Sequence, residues 1–313
     1  MNEIAVALGG GGIRGIAHIG VLKKLQEIGY SIKAVTGTSA GGLVGAVFAS
    51  GFSPEEIEDI IYNVNQKAFF SLSSSDVPSL LSLQGLTKML TELLGDRMFD
   101  SLKIPFACTA VDLETAQEII INQGRVIEAA LATAAFPGVF PPIKLGECTL
   151  VDGGVLDPVP VALARWLAPS IPVVAVCLSP EPQRWGHLPA FSVPPVVPIP
   201  HVIMDQVSHS KYLQAFQVFY RSMDVISRSL AELRMQIDKP DVILRPDVEN
   251  IGLLDNVDPQ ELIQSGEAIV MASLEQIRLK LSWRSRLFRK FQHPEPPGIP
   301  ISSMIKNPKE SLT

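Results

Sequence analysis

Ala34-Val35-Thr36-Gly37-Thr38-Ser39-Ala40-Gly41-Gly42-Leu43-Val44-Gly45 runs from a short apolar stretch, through a turn, into a small-residue helical stretch. Its centre, Gly37-Thr38-Ser39-Ala40-Gly41, is G-x-S-x-G between an expected strand and an expected helix, the context in which the motif lifts a serine clear of a sheet edge. Glycines at the flanking positions remove side chains that would clash in so sharp a turn. The bare pattern also fits a glycine- and serine-rich loop without chemistry, so its meaning depends on its surroundings.

Working outward, residues 3–8 read as a strand, 9–12 as a glycine loop and 14–28 as a helix whose apolar face is Ile16, Ile19, Leu22 and Leu25 and which Gly29 ends. A strand over 32–36 leads to the Ser39 turn and a helix over 40–50. This β-loop-α-β-turn-α order predicts a parallel sheet with crossover helices, an α/β fold of three α/β/α layers. Ser53-Pro54-Glu55-Glu56 is a capping box with proline at the first helical position. Residues 69–95 form a serine- and leucine-rich insertion suited to a pocket wall or a plain surface excursion. Strands are expected over 104–111, 118–121, 149–152, 172–178 and 241–245. Helices are expected over 126–135, over 203–237 and from Asp258-Pro259-Gln260-Glu261 onward. Residues 180–200 carry seven prolines and read as an irregular loop, a second candidate wall.

The 313 residues are 47% hydrophobic and 19% charged, ample for a large core. A net charge of −6 gives no basic field for nucleic acid. Cys108, Cys148 and Cys177 each sit inside an apolar run without metal-ligand spacing, so buried reduced thiols and a cytoplasmic location are expected, with neither metal nor cofactor. The N-terminus reads as a first strand, and no uninterrupted apolar run reaches the ~18 residues of a membrane span.

Gly10, Gly12 and Gly15 satisfy G-x-G-x-x-G, yet the second strand ends in Val35-Thr36-Gly37 without the carboxylate that a dinucleotide ribose requires, and no Gly-Lys-Ser/Thr follows. The other use of such a loop is an oxyanion hole, in which glycine amides at a helix N-terminus converge on developing negative charge. A serine nucleophile also needs a base. His18 lies on the first helix, His187 and His201 flank the proline-rich loop, His209 is on a polar helix and His293 is near the end of the chain. None follows a strand, so no Ser-His-Asp triad forms from the pattern. Asp152 does follow a strand, in Thr149-Leu150-Val151-Asp152-Gly153-Gly154, although an aspartate there also suits a plain Asx turn.

Four blocks now stand in order: Gly10-Gly11-Gly12-Ile13-Arg14-Gly15, Gly37-Thr38-Ser39-Ala40-Gly41, Ala134-Ala135-Phe136-Pro137-Gly138-Val139-Phe140-Pro141-Pro142, and Asp152-Gly153-Gly154. Together they resemble the patatin-like phospholipases, serine lipid acyl hydrolases that use a Ser–Asp dyad, and more the bacterial-type members than the plant storage proteins. The resemblance implies Ser39 as nucleophile, Asp152 as base, and Gly10, Gly11 and Gly12 lining the oxyanion hole. It implies Arg14, Gly15, Gly37, Gly41, Gly153 and Gly154 in support, and a phospholipid or lysophospholipid as substrate. Where the family tends to carry asparagine after the Asp-Gly-Gly turn, this chain has Asp157. An acyltransferase or thioesterase using the same dyad, and a non-catalytic nucleotide-binding or regulatory module, are the competing readings.

Residues 1–275 are expected to form the catalytic domain. Gln276–Phe291 holds six basic and no acidic residues among Trp283, Phe288 and Phe291. This basic amphipathic segment (276–293) suits peripheral contact with anionic lipid, ahead of the alternative of a final helix packing its apolar face. Residues 294–313 are expected to be disordered.

Overall fold

The computed structural model describes residues 2–63, 71–72, 81–185, 211–252, 255–281 and 294–304. The chain opens with β1 (Asn2–Leu8), a tight 3-10 turn over Gly12–Ile16, α1 (Ala17–Glu27), β2 (Tyr30–Gly37) and α2 (Ala40–Ala49). This is the expected order, with the first helix starting as a 3-10 turn. The capping box is made: Ser53 Oγ accepts from the Glu56 amide at 3.2 Å and Glu56 Oε2 from the Ser53 amide at 2.7 Å, opening α3 (Pro54–Asn63). The insertion contributes a short antiparallel pair, β3 (Ser71–Leu72) and β4 (Leu81–Ser82), and then α4 (Gln84–Leu94).

Next come β5 (Phe106–Asp112), β6 (Gln117–Ile121), α5 (Val126–Thr133), β7 (Ile143–Leu145), β8 (Cys148–Asp152), α6 (Val161–Leu167) and β9 (Val173–Val176). The long α7 (Lys211–Asp238), β10 (Val242–Leu244), α8 (Pro259–Ala272), α9 (Leu274–Lys280) and β11 (Ile299–Pro300) complete the described chain. Of the helix expected over 203–237, residues 203–210 lie outside the described residues, as does most of the proline-rich loop.

The main sheet runs β10-β9-β1-β2-β5-β6-β11, with β8 beside β5 and β7 outside β8. The pairs β10–β9, β9–β1, β1–β2, β2–β5 and β6–β11 are parallel, while β5–β6, β5–β8 and β7–β8 are antiparallel. Period-two alternation sorts the core into two faces. Ile4, Val6 and Leu8 of β1 join the larger core, with α1, α2, α5 and α8. Ala5 and Ala7 of the same strand face α6 and the Ala231–Met235 end of α7. The fold is therefore α/β, three layers around a mainly parallel sheet. All three cysteines are buried and unpaired, and among the described residues no helix is long and apolar enough to cross a membrane.

The expectation of disorder over 294–313 is corrected for its first part. Residues 299–300 pair in parallel with Ile119–Ile120 of β6, and Ile301 is buried. The edge of β6 offers unpaired backbone groups, and Ile299-Pro300-Ile301 supplies a strand-like triplet to cover it. Residues 305–313 lie outside the described residues. In 276–281, Ile277 and Leu281 turn inward while Arg278, Leu279 and Lys280 face solvent.

α1 and α8 touch backbone to backbone. A Cβ on Gly266 would stand 2.0 Å from the Ala17 carbonyl oxygen, and one on Gly20 would stand 1.9 Å from that of Ile263. Gly266→Ala should therefore force the helices apart and cost about 3 kcal/mol, read as a lowered denaturant midpoint. An unchanged midpoint would show that the crossing can open freely.

Candidate active site

Strand β5 decides where the two sequence-predicted catalytic residues meet. Its first half lies beside β2, with Gly37 opposite Cys108. Its second half lies beside the oppositely running β8, with Asp152 opposite Ala110. The C-terminal ends of β2 and β8 thus approach head-on along the same side of β5, with Thr109 between them. The Thr38 and Thr109 hydroxyls are hydrogen-bonded at 2.8 Å, and Thr38 Oγ1 also lies 2.8 Å from the Asp157 carbonyl oxygen.

Ser39 sits at the turn with φ 54° and ψ −126°, a left-handed backbone that costs a non-glycine residue about 1–3 kcal/mol. The turn is held tight because Gly41 lies against the end of β1: a Cβ there would be 2.1 Å from the Leu8 carbonyl oxygen. Gly37 closes β2, and Gly15 packs on Ala40. The end of α5 contacts both turns. Thr133 Oγ1 accepts the Ser39 amide at 2.9 Å, and the Ala135 carbonyl accepts the Asp152 amide at 3.0 Å.

Asp152 is buried. Its Oδ1 accepts from the Gly154 amide at 2.7 Å, while Oδ2 is buried with no hydrogen bond among the described residues. Burial pushes its pKa up to about 6, against the downward pull of the Ser39 hydroxyl and the Gly154 amide. The Ser39 hydroxyl is thus near enough to be felt by the carboxylate without meeting hydrogen-bond geometry, a common looseness in sites without substrate. Gly153 and Gly154 form the turn after β8.

The glycine loop is more divided than its sequence suggests. The Gly10 amide is spent on the Pro158 carbonyl at 2.9 Å. Gly10 therefore lines the site without donating into it, a correction to an equal role for all three glycines. The Gly11 and Gly12 amides have no acceptor among the described residues. His18 Nε2 donates to the Gly9 carbonyl at 2.7 Å from a fully buried ring, and burial pushes its pKa down to about 4. It braces the loop as a neutral imidazole and is turned away from base duty. Arg14, also buried, donates Nε to the Ile251 carbonyl at 2.6 Å, tying the loop to the far end of the chain. His187, His201, His209 and His293 lie outside the described residues.

Asp157 is completely buried with neither carboxylate oxygen partnered among the described residues. Burial, reinforced by the nearby Glu118 charge, holds its pKa well above the usual carboxylate range. It supports the turn through its backbone, donating its amide to the Gly153 carbonyl at 2.8 Å.

A cavity of about 230 Å³ opens above Ser39 and Asp152. Leu43, Val44 and Val47 of α2, Ile57, Ile60 and Ile61 of α3, and Leu86, Met89, Leu90 and Leu93 of α4 make its walls apolar. The described part of the insertion is therefore a pocket wall. Phe136, Val139 and Phe140 close another side, and α7 contributes Tyr220, Met223, Asp224 and Ser227. Sequence reasoning missed the role of α7, whose amphipathic pattern says that it packs but not on what. It also missed Thr133, which has no motif of its own. Among the described residues no cluster of histidine, cysteine or carboxylate side chains could hold a metal ion.

The family model for patatin-like phospholipases matches residues 6–165, which include the glycine loop, the Ser39 turn and the Asp152 turn. The chain belongs to the patatin-like phospholipase family. An uncharacterized NTE family protein of Mycobacterium tuberculosis is 34% identical over 162 residues, covering 51% of this chain and 45% of that protein. A second from the same organism is 28% identical over 283 residues, covering 88% and 47%. Patatin-like phospholipase domain-containing protein 7 of Rattus norvegicus is 30% identical over 186 residues, covering 56% and 13%. The chain thus spans just under half the length of the mycobacterial relatives it matches. VipD from Legionella pneumophila, a solved structure, aligns with a TM-score of 0.46 at 14% identity, covering 87% of this chain and 66% of that chain.

Two stability predictions follow from this geometry. Ser39→Gly should stabilise the fold by about 1–2 kcal/mol, because glycine accepts the positive φ without strain, whereas Ser39→Ala should not; equal melting of both variants would count against the strain. The Asp152 pKa is raised on folding, so the native state holds its proton more tightly and ionisation destabilises it as pH rises from the unfolded value toward and past 6. Asp152→Asn should therefore gain about 3 kcal/mol at pH 8 and little at pH 3. A gain independent of pH would mean that the carboxylate is not the cause.

Proposed function

We propose that the protein is a serine hydrolase of lipid carboxylic esters, phospholipids or lysophospholipids, with Ser39 as nucleophile and Asp152 as general base. The observation that carries this reading is the meeting of a strained, accessible serine and a buried carboxylate with one open oxygen at the base of an apolar-walled cavity. Ser39 Oγ attacks the ester carbonyl as its proton passes to Asp152 Oδ2. The Gly11 and Gly12 amides, at the start of a helical turn, stabilise the oxyanion. Collapse of the tetrahedral intermediate breaks the bond to the alcohol, which leaves with the proton from Asp152. Water, deprotonated by the same carboxylate, then attacks the acyl-serine to release the acid and restore both groups. A raised pKa makes Asp152 a stronger base than a surface carboxylate. The apolar walls suit an acyl chain.

Membership of the family and an apolar cavity support the substrate class. The geometry above supports the dyad and the oxyanion donors, and residues 1–275 are proposed as the catalytic domain. Peripheral membrane contact through Gln276–Phe291 and a cytoplasmic location belong to the same reading.

Ser39→Ala should abolish hydrolysis across a panel of lipid esters and prevent labelling by a fluorophosphonate probe. Asp152→Asn should lower kcat by about 10²–10⁴-fold. The wild-type kcat/KM should rise tenfold per pH unit below about 6 and level off above it, because only the ionised carboxylate accepts the proton. Turnover surviving Ser39→Ala would overturn the assignment.

A further inference from the structure

Helix α7 has two apolar faces, and one of them is left exposed by the described residues. The inward face lines the cavity with Phe216's neighbour Tyr220 and with Met223, and buries Ala231 and Met235. The outward face exposes Val218 (66%), Phe219, Val225, Ile226, Leu233 and Ile237 (71%). Spacings of seven, as in Val218–Val225 and Phe219–Ile226–Leu233, and the fall of Ile237 one turn further on, put them along one continuous stripe. An apolar stripe of this length on a chain surface marks an interaction site.

The charges on the helix identify the partner. Among the described residues of α7, the exposed charged side chains are Lys211 and Arg221, and Lys239 follows immediately after its end, also exposed. The acids are turned inward: Asp224 pairs with Arg228 at 2.9 Å, Glu232 pairs with Arg245 at 2.7 Å, and Asp238 is half-buried. In a chain of net charge −6, this face presents exposed cations at both ends of an apolar stripe and, at Arg221, along it. We infer that the outward face of α7 docks on an anionic lipid surface. A second copy of the chain fits less well, because two such faces would bring cation toward cation with no exposed acid on either helix to pair with it.

Docking by α7 would hold the helix whose inner face lines the cavity with Met223 and Asp224 on the bilayer, bringing the Ser39 cavity to within about one helix diameter, ~10 Å, of the lipid. This consequence rests on the ester-hydrolase reading; the docking itself rests on α7. The apolar side chains would enter the headgroup boundary while Lys211, Arg221 and Lys239 meet anionic headgroups.

The test is sedimentation of the full chain with vesicles of phosphatidylcholine alone or with added phosphatidylglycerol. Three forms are compared: the natural protein, Arg221→Glu, and the double change Val225→Ser with Ile226→Ser. Melting temperature, solution mass and hydrolysis of the soluble ester p-nitrophenyl butyrate are measured alongside. The natural protein should pellet more with the anionic vesicles, and each variant should lose about tenfold or more of that partitioning with melting temperature and soluble-ester turnover retained. Variants that fold normally and pellet as the natural protein does would overturn the docking. So would a natural dimer that the Val225/Ile226 change dissociates without altering pelleting. A natural protein that pellets as expected but leaves the soluble ester intact would support the docking while overturning the hydrolase reading.

Discussion

The site depends on one strand serving two partners on the same side. β5 is parallel to β2 through Cys108 and antiparallel to β8 from Ala110 onward. Two strands cannot occupy the same length of β5, so each must leave the sheet where the other begins. Both departures become turns, one carrying Ser39 and the other Asp152. Their separation is therefore set by backbone register, which rigid hydrogen bonding fixes more sharply than a pair of loops could. The buried Thr38–Thr109 contact fills the single-residue gap and completes the polar pairing between the two strand ends.

That register also explains what could be read from sequence. Each of the four blocks is a strand end followed by small residues, a local pattern whose chemistry is legible without knowledge of the fold. The parallel sheet and the two turns that carry Ser39 and Asp152 were visible for that reason. The Thr133 hydroxyl was not, because its bond to the Ser39 amide spans 94 positions and depends on how α5 returns to the sheet. The unequal roles of Gly10, Gly11 and Gly12 were hidden too: three identical residues differ only in whether Pro158, far along the chain, takes their amide. Ile299–Pro300 was misread because proline and polar neighbours suggest disorder, whereas the open edge of β6 supplies the missing partner. Periodicity reports the face that an element hides, and says nothing of what it hides against.

Asp152 and Asp157 lie five positions apart and are both buried, yet the surroundings separate their chemistry. Asp152 retains a donor at Oδ1 and the Ser39 hydroxyl nearby, which hold its pKa to about 6 against the cost of burial. Asp157 has no partner for either oxygen among the described residues and has Glu118 close by, so its pKa stands well above the usual carboxylate range. A pKa of about 6 leaves Asp152 ionised near neutral pH and more basic than a surface carboxylate. At Asp157 burial and the Glu118 charge both favour the neutral form of the side chain.

The features on which the proposed chemistry rests make the site expensive to fold. A left-handed serine and an ionised buried carboxylate both oppose the native state, and neither would persist on a flexible loop, which would relax to a cheaper conformation. Here they are over-determined. Leu8 and Gly41 meet backbone to backbone beneath the serine, α5 grips both turn amides, and β5 holds the register between them. The depth of the sheet, with β1 buried along nearly its whole length, supplies the stability that this strain consumes. The Ser39–Asp152 geometry is thus a property of the middle of the sheet, and the helices around it are left free to shape the cavity and its outer face.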